Sequence, residues 1–342
     1  MTARARESDV AALSARLIER LTGFMVTQAI YAITSLGVPD LLAEGPASAA
    51  TLARRAGAHE QALHRFLRAL AASRVVRETD DGTFELDELG HLLRSDAHPS
   101  LRDLVLYWGG EQTWRAWGHA VHSLRTGKPA FDHVFGTDEW TWFEAHPEES
   151  ATFNGAMRGG AAGRALALRA YDWSGIERVV DVGGGNGATL IDLLSHEPHL
   201  RGVVVDRPSV AAEARERIAA AGLAGRCEAV AGDLFGDLPG GGDAYVLMII
   251  LHDWDVEDAT RILASCRRAM PSGARLLVVE NVLAGRAIDD LGKVIDLHML
   301  VTLGGRERTE PEWRALLDAG GFRLERVLGE GRWSILEAFP KV

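Results

Sequence analysis

Residues 178–188 read RVVDVGGGNGA, a β-branched strand that runs into glycine and then into the helical stretch 189–194. A buried strand has no use for glycine. A backbone that must turn sharply beneath a ligand does, because glycine alone enters left-handed φ cheaply and lets another molecule lie on the main chain. Four of the five residues 183–187 are glycine, more than a purely structural turn demands. Gly183, Gly185 and Ala188 also satisfy the G-x-G-x-x-G/A spacing of dinucleotide sites, which leaves the identity of the ligand open.

The periodicity around this turn sets the fold class. From Asp172 onward, short apolar runs alternate with helical stretches, at 178–182, 202–206, 226–231, 244–251 and 275–280. Each of the first four precedes a turn and an expected helix, the grammar of a parallel, doubly wound α/β sheet. The chain then closes on two further runs, 322–328 and 333–339, joined at Gly329-Glu330-Gly331, which read as an antiparallel hairpin. Before Asp172 the chain reads differently. Residues 1–100 are mainly helical, with Leu13, Leu17, Leu21, Met25, Ala29 and Ile33 at four-residue spacing. Helical runs at 49–56 and 59–72 precede a hairpin about the turn 79–82, in winged-helix order. Residues 101–171 form an aromatic-rich helical connector. Trp114 and Trp117 are expected in helix cores there; Trp140, Trp142 and Phe143 are expected to line a pocket suited to flat ligands.

In a parallel sheet, ligands bind beyond the carboxyl ends of the strands. Asp206 ends the second strand, where a carboxylate can accept from both hydroxyls of a ribose. Gly232-Asp233-Leu234-Phe235 ends the third, where a carboxylate with apolar neighbours suits an adenine amino group. Asp233 alone would pass for a turn aspartate; three such elements at one sheet edge favour a single adenosine site. The fourth run ends Leu251-His252-Asp253-Trp254, and a histidine at that edge is placed to accept a proton near neutral pH. Glu280, ending the fifth run, and Glu307 could each fix its tautomer. Glu307 lies between Arg306 and Arg308, which equally fits a surface ion-pair cluster.

Composition excludes several classes. With 37 Lys+Arg against 48 Asp+Glu, the net charge is −11, unfavourable for a phosphate backbone. Arginines between Arg54 and Arg77 keep a DNA-binding winged helix as a distant alternative. No apolar run reaches the roughly eighteen residues of a membrane span. The polar residues 1–10 lack a secretory pattern. Cys227 and Cys266 cannot build a disulfide framework or a zinc site. A cytoplasmic protein without a metal is expected.

Taken together, Asp181-Val182-Gly183-Gly184-Gly185-Asn186-Gly187, Gly232-Asp233, His252-Asp253-Trp254 and Gly304-Gly305-Arg306-Glu307-Arg308-Thr309 resemble the S-adenosylmethionine-dependent small-molecule O-methyltransferases. The likeness is to the caffeate and flavonoid type and its bacterial natural-product relatives, and it covers nearly the whole chain. It also takes in Gly127-Lys128-Pro129-Ala130-Phe131 and Phe153-Asn154-Gly155-Ala156-Met157. The resemblance implies a Rossmann-like catalytic domain at 172–342, a helical connector at 101–171 and a winged-helix-like dimerisation domain at 1–100. It implies a homodimer whose N-terminal helix reaches over its partner's site.

By the same resemblance, S-adenosyl-L-methionine would be held by Gly183, Gly185, Asp206, Gly232, Asp233, Leu234, Phe235 and Met248. Met248 is a departure, standing where relatives often carry a lysine or serine that bonds the cofactor. His252 would be the general base, framed by Glu280 and Glu307. Trp142, Phe153, Met157, Asp253, Met299 and Thr302 would line the acceptor pocket. The implied reaction is methylation of a hydroxyl on an aromatic or polyketide-like specialised metabolite. Two rivals belong to other reaction classes: a relative that hydroxylates or catalyses a pericyclic step on the same cofactor site, and a nicotinamide oxidoreductase.

Overall fold

A computed structural model of the protein describes residues 3–159, 161–285, 290–329 and 333–341. Its contacts divide the chain into two compact units, residues 1–114 with 151–159, and residues 115–150 with 160–342.

The first unit opens with the helix Ala3–Ser35. Gly37, at φ 67°, stops it, and Pro39 starts the short helix Val38–Ala43. Helices Ala49–Ala56 and Glu60–Ala71 follow, the first capped by Ser48, whose hydroxyl accepts from the Thr51 amide. An antiparallel hairpin, Val76–Glu78 with Phe84–Leu86, completes the helix–helix–hairpin order expected from the sequence. Ile33, Leu52, Leu67, Leu70, Val76 and Phe84 form its core. The apolar stripe of the long helix is split in fate. Ala29 and Ile33 are buried, whereas Leu13, Leu17, Leu21 and Met25 are exposed.

The second unit is built on a seven-stranded sheet: β1 Arg178–Val182, β2 Arg201–Asp206, β3 Cys227–Ala231, β4 Ala244–Met248, β5 Arg275–Glu280, β6 Phe322–Leu328 and β7 Ser334–Pro340. The strand order is β3-β2-β1-β4-β5-β7-β6. Strands β1 to β5 are parallel, and β7 runs antiparallel to both β5 and β6. From β1 the chain winds outward to β3 and then returns to β4, so the direction of winding switches between β1 and β4. That crevice is where such sheets bind ligands. Alternate side chains fill both faces: Val180, Val182 and Leu247 on one, Val179, Val204 and Val246 on the other.

Three local expectations need correction. No helix follows β3. Residues 232–243 carry Gly232, Gly236, Pro239 and Gly240–Gly242, too many breakers to wind a turn of helix. The fourth strand ends at Met248 rather than at Leu251, because Ile249 takes a left-handed conformation, φ 50°, and 251–253 form a single 3-10 turn. Trp114 and Trp117 are not core residues, being 38% and 37% exposed. Of the expected C-terminal turn, Glu330 and Gly331 lie outside the described residues.

Candidate active site

The glycine turn leaves β1 at the switch point. Gly183 (φ 73°), Gly185 (φ 59°) and Gly187 (φ 74°) are left-handed. A Cβ on Gly183 would stand 2.4 Å from Ile250 Cδ1 and 3.6 Å from Leu234 Cδ2. The turn, the loop after β3 and the end of β4 therefore meet at one point. The Gly183 amide donates to the Val205 carbonyl (2.8 Å), tying the turn to β2. At the end of β2, Asp206 accepts from the Gly185 amide at Oδ2 and from the Arg207 amide at Oδ1, both at 2.8 Å. Burial raises the Asp206 carboxyl against the opposing pull of those two amides. Asp181, one residue inside β1, is buried where Asp206 is half-buried, and burial with the nearby Asp206 charge lifts it to about 7.

After β3, Gly232 leads into an exposed Asp233 whose Oδ1 accepts the Phe235 amide (2.9 Å) and closes a turn. That turn sets the half-buried Phe235 edge-on to Trp254, with ring centroids 5.0 Å apart. Trp254 stacks beside Trp140 (6.3 Å, 22°), and the Arg207 guanidinium lies over Trp140 at 5.6 Å. Met248 is buried in the core cluster of Val179, Val204 and Val246.

The 3-10 turn after β4 presents His252, with its side chain 15% exposed. The ring sits among three carboxylates. Nδ1 is 2.9 Å from Glu307 Oε1 and 3.8 Å from Glu280 Oε2; Nε2 is 3.2 Å from Asp253 Oδ1. Burial resists charging the ring, but Glu280, Asp253 and Glu307 overcome it and raise the pKa to about 10. The same burial pushes Glu280 up to about 7 and Asp253 up to about 6. The cluster thus holds protons that its carboxylates would release in water.

Glu307 is buried, 3% exposed, so the surface ion-pair reading of this segment is wrong. Its two arginine neighbours part company. Arg306 pairs with Glu312 at the surface (2.6 Å), whereas Arg308 is 1% exposed and donates to the Leu251 (2.8 Å) and Trp254 (3.1 Å) carbonyls. The Arg306 amide donates to the His252 carbonyl (2.8 Å). This approach depends on Gly305, where a Cβ would fall 2.0 Å from the His252 carbonyl oxygen. The motif 304–309 is therefore a clamp on the His252 turn as well as the source of Glu307. Gly305 was visible in the sequence as a glycine pair, but nothing in the spacing distinguished Arg308 from Arg306.

The helix Gly292–Thr302 braces the same segment, with Asp296 Oδ1 accepting the Glu307 amide (2.8 Å). Met299 and Thr302 lie on it, both buried, and the Thr302 hydroxyl donates to the His298 carbonyl. His298 was not singled out from the sequence. Its Nδ1 accepts from Trp117 Nε1 (3.2 Å), which leaves the proton on Nε2. Burial and the His252 charge lower its pKa to about 4, so it is a neutral N–H donor. Trp142 packs against Phe135 (4.6 Å) and stacks on His146 (3.5 Å). Phe153 and Met157 belong to the first unit, both half-buried, with the Phe153 ring edge-on to Tyr107 (5.2 Å).

Known proteins resemble this chain over nearly its whole length. A family model described as the O-methyltransferase domain matches residues 114–323, and one described as the O-methyltransferase dimerisation domain matches residues 18–96. The phenazine O-methyltransferase PhzM of Lysobacter antibioticus is 42% identical over 96% of this chain and 96% of its own. The solved mitomycin 7-O-methyltransferase MmcR is 39% identical, with a TM-score of 0.92 over 98% of this chain and 99% of that one. An O-methyltransferase of neocarzinostatin biosynthesis, solved with S-adenosyl-L-homocysteine and 1,4-dihydroxy-2-naphthoic acid, is 35% identical. Its TM-score is 0.81 over 92% of this chain and 95% of that one.

Proposed function

The chain belongs to the O-methyltransferase family that carries an N-terminal dimerisation domain, and on that premise we propose how its residues divide the work of methylating an aromatic hydroxyl. S-adenosyl-L-methionine, when bound, supplies an electrophilic methyl on a sulfonium, so the protein need only align and deprotonate the acceptor. The rim fits that group. Bare backbone at Gly183 and Gly185 gives close approach, Asp206 is a half-buried carboxylate with lone pairs to offer a diol, and Leu234 and Phe235 offer apolar surface beside Asp233. Met248 contributes packing.

His252 takes the acceptor proton when its ring is neutral, the form that gains population as pH rises toward about 10. The single observation that carries this role is the 2.9 Å contact from its Nδ1 to the buried Glu307. In the neutral ring, that contact keeps the proton on Nδ1 and the lone pair on Nε2. The same carboxylate stabilises the imidazolium after transfer. Asp253, 3.2 Å from Nε2, orients the hydroxyl that approaches there. A phenol of pKa near 10 gains about 10²–10⁴-fold from such a base. Trp142, Phe153, Met157, Met299 and Thr302 are assigned to the acceptor side on family resemblance. The acceptor is an aromatic or polyketide-like specialised metabolite, the class to which the phenazine, mitomycin and naphthoate relatives point.

The enzyme works as a homodimer assembled through residues 18–96, a reading supported by the dimerisation match and the exposed leucines of the first helix. We place it in the cytoplasm. Both cysteines are free buried thiols, compatible with a reducing compartment, and among the described residues no helix is long and apolar enough to cross a membrane. The test is incubation with methyl-labelled cofactor and a panel of phenols. A gain of one methyl with stoichiometric S-adenosylhomocysteine is expected. An oxidised or rearranged product without methyl gain would overturn the reading in favour of a non-methylating relative.

A further inference from the structure

The turn that carries His252 contains a steric outlier. Ile249 is β-branched yet sits at φ 50°, a region such residues almost never enter. Its amide donates to the Val279 carbonyl (3.0 Å), completing the β4–β5 ladder. The left-handed step then swings the next three amides, of Ile250, Leu251 and His252, onto one atom. Glu280 Oε1 accepts them at 3.1, 3.0 and 3.4 Å. Successive main-chain N–H groups converging this way form an anion nest. The carboxylate that fills it is fully buried, and its other oxygen, Oε2, has no hydrogen-bond partner among the described residues. Glu280 Oε2 stands 3.8 Å from His252 Nδ1, beyond hydrogen-bond reach, while Glu307 occupies that nitrogen at 2.9 Å.

We propose that Glu280 is a positioning residue that acts on His252 through the main chain: its Oε1 gathers the amides of residues 250–252 and holds Ile249 left-handed, while Glu307 orients the imidazole ring. Strain at Ile249 and the carboxylate at Glu280 are then two halves of one device. Take the anchor away and Ile249 relaxes, carrying the His252 backbone off line. Put glycine at 249 and the turn no longer needs an anchor to reach left-handed φ.

This inference rests on His252 as the base, and the experiment keeps the two separable. Single-turnover rates and thermal midpoints are measured on the full chain for Glu280→Ala, Glu307→Gln, Ile249→Gly and the two double variants. Lost packing from Ile249→Gly is common to all backgrounds and cancels in the ratios. Glycine at 249 is expected to restore turnover about tenfold in Glu280→Ala, the size of a left-handed penalty, and to restore nothing in Glu307→Gln. Should Glu280→Ala fail to fold, the comparison is repeated on Glu280→Gln, whose amide oxygen keeps a weaker acceptor; there about a threefold gain is expected. Equal or absent rescue in the two backgrounds overturns the anchor role. If His252→Ala leaves turnover unchanged, the base assignment falls instead.

Discussion

At the scale of single residues, His252 and its carboxylates decide both rate and stability. Replacing His252 with alanine removes the proton acceptor but leaves the glycine turn and Asp206 untouched. Turnover should fall by about 10²–10⁴-fold, while calorimetric affinity for S-adenosylhomocysteine stays within a few-fold. The pH dependence follows from the same group. Its pKa in the folded protein, about 10, lies above the ordinary imidazole value of about 6.5. The stability it contributes is therefore complete below about pH 6.5 and is lost as pH rises through about 10. Glu280 and Asp253 are raised as well, so their contributions are lost in the same direction, through about 7 and about 6. The thermal midpoint should decline across this range, while kcat/KM climbs as the ring becomes neutral. Glu307→Gln removes a negative charge beside the ring and should move the activity limb toward acid by about one unit or more. A limb that stays in place would show that the measured titration belongs to another group.

Among elements, the loops at the sheet edge do more than hold the functional side chains. Gly305→Ala tests this directly. Its Cβ would meet the His252 carbonyl oxygen at 2.0 Å, and main chain cannot yield as a flexible side chain can. The 304–309 clamp must shift, at a cost of about 1–3 kcal/mol, and turnover should drop with the thermal midpoint. A variant with wild-type midpoint and rate would remove the clamp from the account. The elements themselves were largely legible in sequence. Strands β1, β5 and β6 keep their expected bounds, because β-branched runs closed by turn residues leave few alternatives. Two features departed from the expectation. The loop after β3 was expected to wind into a helix, although its glycines and Pro239 argued otherwise. The truncation of β4 at Met248 is a tertiary effect, since nothing local in Ile249-Ile250-Leu251 predicts a left-handed step; the buried Glu280 imposes it from the neighbouring strand. The site shows the same division. In the proposed site, Asp206, Asp233, His252, Glu280 and Glu307 are assigned from their place at strand ends and in motifs. The buried state of Arg308 and the tautomer of His298 depend on Leu251, Trp254 and Trp117, residues far off in sequence.

For the whole molecule, the long first helix leaves a question that one copy of the chain does not answer. Leu13, Leu17, Leu21 and Met25 recur on one stripe, accompanied by Ile18 and Phe24, and all six are exposed. An apolar stripe of that length in water favours association, since each large side chain removed from water contributes about 1.5–3 kcal/mol. A stable dimer buries roughly 1,600 Å² in total, an area that helices of this length readily supply when paired. The stripe also overlaps the start of the segment matched as a dimerisation domain, residues 18–96. Placing charge within the stripe separates a dimer contact from a fold requirement. Leu17→Glu with Leu21→Glu lies outside the buried core of the first unit, so each chain should keep its fold by circular dichroism. Sedimentation should shift from dimer to monomer at micromolar concentration. A double variant that still sediments as a dimer would move the interface off this helix. If the monomer retains full turnover, each copy's site is complete without its partner; a loss of turnover together with dimerisation would make assembly part of the catalytic unit.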